Sequence, residues 1–329
     1  MKKHVCSILA LCLAVCLLLG ALTGCGSSQT AADKKLKVVT TIFPVYDWMR
    51  EILGDRLADT ELTMLLDNGV DLHSYQPSAK DLMRVSECDL FVYVGGESDA
   101  WVDDAMNSVQ NPNLVSVNLL ETLGDSVKEE EVVEGMEAHE EEEAEEEEEE
   151  VEYDEHVWLS LRNASALCSA LAEALGKVDP DHAAVYTQNA QDYTAQLDAL
   201  EAQYRAAVDS AQVTTILFAD RFPFRYLADD YGLAYFAAFS GCSAETEASF
   251  RTITFLANKV DELGLRTILQ LESADGSIAR TVQENTATKD QQILTMNSLQ
   301  SATSMDVDNG LTYLSAMTDN LETLKQALQ

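Results

Sequence analysis

Positive charge is what this chain has least of. It carries 21 Lys and Arg against 57 Asp and Glu, a formal net charge of −36 at pH 7. A surface with that balance repels phosphate, which excludes nucleic-acid binding as a default. Cysteine is sparse as well. Of the seven, Cys6, Cys12 and Cys16 lie in an N-terminal apolar run and Cys25 ends it, leaving Cys88, Cys168 and Cys242. These three are far apart and odd in number. No disulfide framework and no Cys-x-x-Cys pair can be built from them, and they read as buried free thiols. Histidine numbers only five. Neither HExxH nor GxSxG is present, so the motif signs of a zinc protease helix or a nucleophile elbow are missing.

What is there begins with an export signal. Lys2 and Lys3 precede an almost wholly apolar stretch, residues 5–23, which stops at Gly24-Cys25. Charged start, apolar run and small residues at the cut make a secretory signal, residues 1–24. Leu22-Thr23-Gly24-Cys25 also matches a bacterial lipobox, in which Cys25 becomes the lipidated first residue. Gly-Ser-Ser-Gln-Thr-Ala-Ala then reads as part of a flexible tether, 25–35. Each acyl methylene buried in the membrane contributes roughly 0.8 kcal/mol.

Much of the negative charge sits in one block. Glu dominates residues 129–155, interrupted by His139, Val132 and Val133. Like charges repel and little there can be buried, so a disordered acidic loop is expected over 125–155. It serves either as a solubilising loop or as a weak collector of divalent cations, which carboxylates attract.

Elsewhere strand and helix signals alternate. Apolar runs predict strands at 36–43, 61–66, 89–94, 114–118, 214–219, 234–239, 267–272 and 291–296. Helices are predicted after Pro44, with Val45, Trp48, Met49 and Ile52 on one face, and at 77–87, 99–109 and 157–177. Others follow at 223–231, 246–263, 276–286 and from 310. Residues 181–211 contain no interior Gly or Pro and space Val185, Tyr193, Leu197, Leu200 and Tyr204 for one apolar face. They predict a long rigid helix between an N-terminal α/β lobe, 36–180, and a C-terminal one, 212–329. The fold class is α/β: two lobes with mainly parallel sheets flanked by helices.

Ligands of open α/β sheets bind beyond the carboxyl ends of the strands. Metal-competent side chains at such ends are His73 after strand 61–66, His156 before helix 157–177, Asp220 after strand 214–219 and Asn297 after strand 291–296. Imidazole with carboxylate suits zinc and manganese, and two groups from each lobe would converge in a cleft between them. His182 starts the connecting helix and reads as a surface residue.

The segments around these histidines carry a family resemblance. Residues 70–82, VDLHSYQPSAKDL, resemble the PHSYEPTPSD element of the zinc- and manganese-specific solute-binding lipoproteins of ABC importers, which include adhesin-type lipoproteins. Residues 154–161, DEHVWLSL, resemble that family's DPHVWLDP element, and residues 310–328 its C-terminal helix. The resemblance covers essentially the whole mature chain. It implies two lobes joined by a long helix, a metal site with His73 and His156 as ligands, zinc or manganese as transported ligand, and a membrane permease as partner. A monomer on the extracytoplasmic face is expected. The chain departs from the pattern at the third ligand, where either Asp220 or Arg221 stands, and at the fourth, where Asn297 stands. Water or Glu272 could complete the shell, with Glu245 the next carboxylate, and the loop is rich in Glu rather than His. A metal-dependent hydrolase, or an adhesion or scaffold lipoprotein with a degenerate site, is the competing reading.

Overall fold

Apolar strands that are each followed by an amphipathic helix can pair only in parallel, because the helix must carry the chain back across the sheet. The computed structural model describes residues 35–137, 152–243 and 247–329. Cys25 with the expected signal and tether up to residue 34, His139 and Glu245 lie outside the described residues.

The first sheet contains β1 (Leu36–Thr40), β2 (Thr60–Met64), β3 (Leu90–Tyr93) and β4 (Val115–Asn118), in the order β2-β1-β3-β4 and all parallel. The second contains β5 (Thr215–Phe222), β6 (Ala234–Ser240), β7 (Thr267–Leu271) and β8 (Gln292–Met296), in the order β6-β5-β7-β8, again all parallel. The first sheet is flanked by α1 (Phe43–Leu53), α2 (Ala79–Glu87), α3 (Trp101–Met106), α4 (Leu119–Leu123) and α5 (Leu161–Val178). Then come the connector α6 (Ala183–Asp209), α7 (Arg225–Tyr231), α8 (Phe250–Leu263), α9 (Ser277–Asn285), α10 (Ser304–Asp308) and α11 (Tyr313–Ala327). Two α/β lobes joined by one long helix are the observed architecture.

Local chemistry sets the boundaries. Pro44 occupies the first turn of α1, where its missing N–H costs nothing, and β1 therefore ends at Thr40 rather than running to 43. Val45, Trp48, Met49 and Ile52 are all buried on one face of α1. Ser78 and Asp81 close a capping box that starts α2 at Ala79.

The connector differs from expectation in one face residue and in its surroundings. Its 27 residues span about 40 Å at 1.5 Å per residue. Tyr186, Ala190, Tyr193, Leu197, Leu200, Tyr204 and Val208 are buried at steps of three and four, while Val185 is exposed. The helix is not a free rod. It lies along α5 and against α1 and α11, and its buried face joins both lobes in one apolar cluster. Residues 36–329 accordingly form a single compact unit. Polar staples tie the halves as well. Trp158 Nε1 donates to Ser298 O (2.9 Å), Tyr313 Oη to Trp158 O (2.6 Å) and Tyr204 Oη to Met317 O (2.6 Å).

The segment expected to be disordered, 125–155, is ordered at both margins. Residues 125–137 and 152–155 have defined structure, and the centre of the segment, 138–151, lies outside the described residues. Glu129 and Tyr153 form an antiparallel bridge. Beyond it the chain straps onto the second lobe. Glu137 N donates to Ala238 O (2.9 Å), Glu131 accepts from Arg225 and from Tyr235 Oη, and Met136 is buried. Gly135, at φ +91°, lies flat on Phe255, where any Cβ would fall against the ring. Met136 is buried and Val133 half-buried at the margin of this segment, where the excess of carboxylates predicts only solvated chain.

Candidate metal centre

His73 and His156 come from two loops of the first lobe and meet. His73 sits in a single helical turn, Leu72–Ser74, after β2. Leu72 anchors that turn in the core, and Asp71 caps it by accepting from the His73 amide at 3.0 Å. His156 directly precedes the turn Val157–Leu159, whose three residues are all buried. Its own side chain is fully buried.

The two Nε2 atoms lie 3.2 Å apart. Each ring is aimed from behind. His156 Nδ1 donates to Asp154 Oδ1 at 2.9 Å, and the same oxygen accepts from the His156 amide at 2.8 Å. Tyr226 of the second lobe donates to the Asp154 carbonyl at 2.8 Å. His73 Nδ1 lies 2.8 Å from Ser98 Oγ and 3.5 Å from Glu155 Oε2. Oxygen partners at both Nδ1 atoms leave both Nε2 atoms pointing into the shared space, the orientation that supporting carboxylates and hydroxyls give metal-binding histidines.

The electrostatics are those of a crowded buried pair. Burial, and next the charge of His156, push the His73 pKa down to about 3. Burial also opposes charge on His156, but the Asp154 carboxylate outweighs it and raises the pKa. A proton on the pair therefore resides on His156. Burial raises Glu155 to about 7, and its Oε2 has no hydrogen-bond partner.

Among the described residues one further metal-competent atom joins this pair. Cys242 Sγ and one ring nitrogen of each histidine all lie within 4.8 Å of one another. Burial, then the charges of Asp154, Glu130 and Glu155, raise its thiol pKa, which the Glu155 amide opposes. His73 and Cys242 also line a cavity of about 240 Å³ with Glu97, Ser98, Glu130 and Glu155. The rule that selected Asp220, a donor just beyond a strand, applies equally to Cys242, two residues after β6. Composition drew attention away from it, because an isolated cysteine reads as a buried thiol.

Asp220 and Asn297 are not in this group. Strand β5 runs on to Phe222, with an irregularity between Phe218 and Arg221, so Asp220 lies inside the strand rather than beyond it. There β5 has parted from β7, to which it is paired only at Phe218–Leu269. Asp220 fills the gap: Oδ2 accepts from Leu271 N (3.0 Å) and Oδ1 from Arg221 N (2.8 Å). Asp220 does share a second cavity, of about 600 Å³, with His73 and Arg221. Arg221 Nη2 donates to Asp71 Oδ2 at 2.8 Å, an ion pair between the lobes that places a cation beside His73. Asn297 lines a different cavity with Glu272 and Ser301, and its Oδ1 accepts from Leu299 N at 2.8 Å. Glu272 is engaged by Ser298 N, Ser298 Oγ and Ser301 Oγ. His182 stands apart at the start of α6, bonded to Asp179 at 2.9 Å.

Comparison with known proteins agrees with this architecture. The family model described as zinc-uptake complex component A, periplasmic, matches residues 38–327. The high-affinity zinc uptake system protein ZnuA of Bacillus subtilis is 32% identical over 320 residues, 96% of this chain and 96% of that protein. The zinc-binding lipoprotein AdcA of Streptococcus pneumoniae is 31% identical over 304 residues, 91% of this chain but 57% of its own, so the chain spans a little over half of that relative. The crystal structure of the Zn(II)-bound ZnuA-like domain of S. pneumoniae AdcA superposes with a TM-score of 0.69 at 28% identity, covering 89% of this chain and 99% of that one. The chain belongs to the ZnuA family of periplasmic zinc-uptake components.

Proposed function

We propose that this protein captures a zinc ion outside the cytoplasm and delivers it to the permease of an ABC importer, binding its cargo without chemical turnover. The observation that carries the reading is the His73–His156 pair. Two nitrogens bound to one zinc ion at 2.0–2.1 Å and a tetrahedral angle stand roughly 3.3–3.4 Å apart. The Nε2 atoms are 3.2 Å apart, and each Nδ1 has an oxygen partner holding the ring in that orientation. Asp220 and Asn297, the sequence candidates for the remaining positions, are engaged elsewhere and are not included in the proposed ligand set.

The surroundings suit capture of a cation. Glu97, Glu130 and Glu155 line the cavity beside the pair, so the potential at its mouth favours a divalent ion. The connector α6, buried along both lobes, leaves little room for a wide hinge, and loading and release then proceed by small shifts of loops and lobes. The names of the B. subtilis and S. pneumoniae relatives, a zinc uptake protein and a zinc-binding lipoprotein, support zinc as cargo and anchorage through a lipidated Cys25. A monomer suffices, since both histidines come from one chain.

Calorimetric titration of the metal-free mature protein, with metal analysis of the product, tests the reading. One tight zinc equivalent is expected, with manganese weaker and with no hydrolytic activity in the zinc-loaded protein. Loss of tight binding in neither His73→Ala nor His156→Ala would sink it, and turnover of hydrolase substrates would favour an enzyme instead.

A further inference from the structure

We propose that Cys242 supplies a thiolate as the third protein ligand to the ion held by His73 and His156, making a two-nitrogen, one-sulfur site that spans the lobes. This deepens the capture reading and rests on it. One ring nitrogen of each histidine and the Cys242 sulfur already lie within 4.8 Å of one another. A tetrahedral zinc ion with its sulfur at about 2.3 Å and nitrogen at 2.0–2.1 Å requires roughly 3.5–3.6 Å between them. A side-chain movement of about 1 Å closes the difference, well within one rotamer well's breadth and the play of a loop.

The chain around Cys242 is built to bring it there. Gly241 passes directly over the His156 ring. A Cβ at that position would meet His156 Cε1 and the Phe222 carbonyl, both at 3.0 Å, so the ring or the backbone would have to give way. Cys242 N donates to Glu130 Oε1 at 3.0 Å, which pins the loop to the strap from the first lobe. Cys88 and Cys168 differ: both are buried in the main core, and Cys88 Sγ donates to Val85 O. The second lobe's nearby carboxylate, Asp220, is committed to two backbone amides. Cys242 is thus the second lobe's contribution, and an ion bound to it ties the lobes together.

On binding, the S–H bond is broken and an S–metal bond forms, with the proton released to solvent through the adjoining cavity. Water or a carboxylate from that cavity, Glu97 or Glu130, completes a fourth position. Thiolate is a soft ligand that zinc accepts and manganese, suited to carboxylate and water, does not. Cys242 therefore sets the selectivity of the site for zinc over manganese.

Cobalt(II) reports the bond directly. The wild-type mature protein loaded with one cobalt equivalent should show an intense near-ultraviolet sulfur-to-cobalt charge-transfer band. Cys242→Ser should lose the band and bind zinc at least about 100-fold more weakly, since losing a ligand outweighs the 10–100-fold cost of losing a ligand's supporting partner. Its preference for zinc over manganese should shrink in step. A stoichiometric wild-type cobalt complex without the band, or wild-type zinc affinity in Cys242→Ser, would overturn the assignment and leave the histidine pair standing. Absence of any metal binding by the wild type would overturn this inference and the capture reading together. Should Cys242→Ser fail to fold, alkylation of the wild type decides. Zinc should block modification of Cys242, mapped by mass spectrometry, and equal labelling with and without zinc would refute the bond.

Discussion

His73 and His156 face each other through Nε2 atoms 3.2 Å apart, where two bare lone pairs repel and one proton between them relieves the repulsion. A zinc ion bound there would take the place of that proton. His73→Ala and His156→Ala are each expected to weaken zinc by about 100-fold or more, and Asp154→Asn by about tenfold through loss of the charge behind His156. His182→Ala should leave affinity unchanged. Titration calorimetry checks all four. Asp220 is a different matter. Its carboxylate satisfies the Leu271 and Arg221 amides where two strands diverge. Asp220→Ala leaves buried donors unpaired and should cost about 1–3 kcal/mol of stability in denaturant unfolding, while zinc binding suffers less than in either histidine variant. On its strand-end position alone, Asp220→Ala would be expected to weaken zinc as strongly as either histidine variant.

Among the elements, the strap around the acidic segment decides what can be cut. Residues 138–151 lie outside the described residues and hold none of the proposed ligands. Their deletion should leave the thermal midpoint and the tight zinc site within error and reduce only weak divalent uptake. Deletion of 129–150 should act otherwise. It removes the Glu130 acceptor of the Cys242 amide, the Glu131 partner of Arg225 and the buried Met136, so both midpoint and zinc affinity should fall. Equal behaviour of the two deletions in calorimetry and thermal unfolding would show that the strap is inert. The long helix was readable because seven turns without Gly or Pro, apolar at steps of three and four, have one stable form. Which neighbours its face meets was not readable, because the same stripe serves a free connector and a shared core equally well.

At the scale of the molecule, stability and location each carry an expectation. Asp47 is buried in the shared core, where Oδ2 accepts from Tyr313 N at 2.8 Å. Burial raises its pKa from 3.8 to about 6. The folded pKa exceeds the unfolded one, so its contribution is complete below about pH 4 and is lost as pH rises through 6. The metal-free wild type should therefore lose about 3 kcal/mol relative to Asp47→Asn between pH 4 and 7, at 1.36 kcal/mol per pH unit of separation. Denaturant unfolding of both proteins across that range measures it, and a constant difference would contradict the assignment. Cys25→Ala, at the other extreme of the chain, should free the protein from membranes or block its processing. Fractionation that finds it processed and still membrane-bound would count against the lipid anchor.

The sequence by itself determined the alternation behind two parallel sheets and the connecting helix, and it singled out the two histidines that meet. Each is a local pattern: a strand period, a helix period, a histidine in a loop between elements. Tertiary structure alone decided how the remaining candidates are used. Asp220 and Asn297 fall at predicted strand ends, yet β5 runs on past Asp220, whose carboxylate takes two backbone amides, and Asn297 opens on another cavity. Cys242 shows the converse. Apart from its place after a strand no local pattern marks it, because the two histidines lie some 86 and 169 residues away in the chain, and only the packing of one lobe on the other brings its sulfur beside their rings. A ligand set is a coincidence of distances across the fold, and distance between remote residues is the quantity that sequence periodicity does not contain.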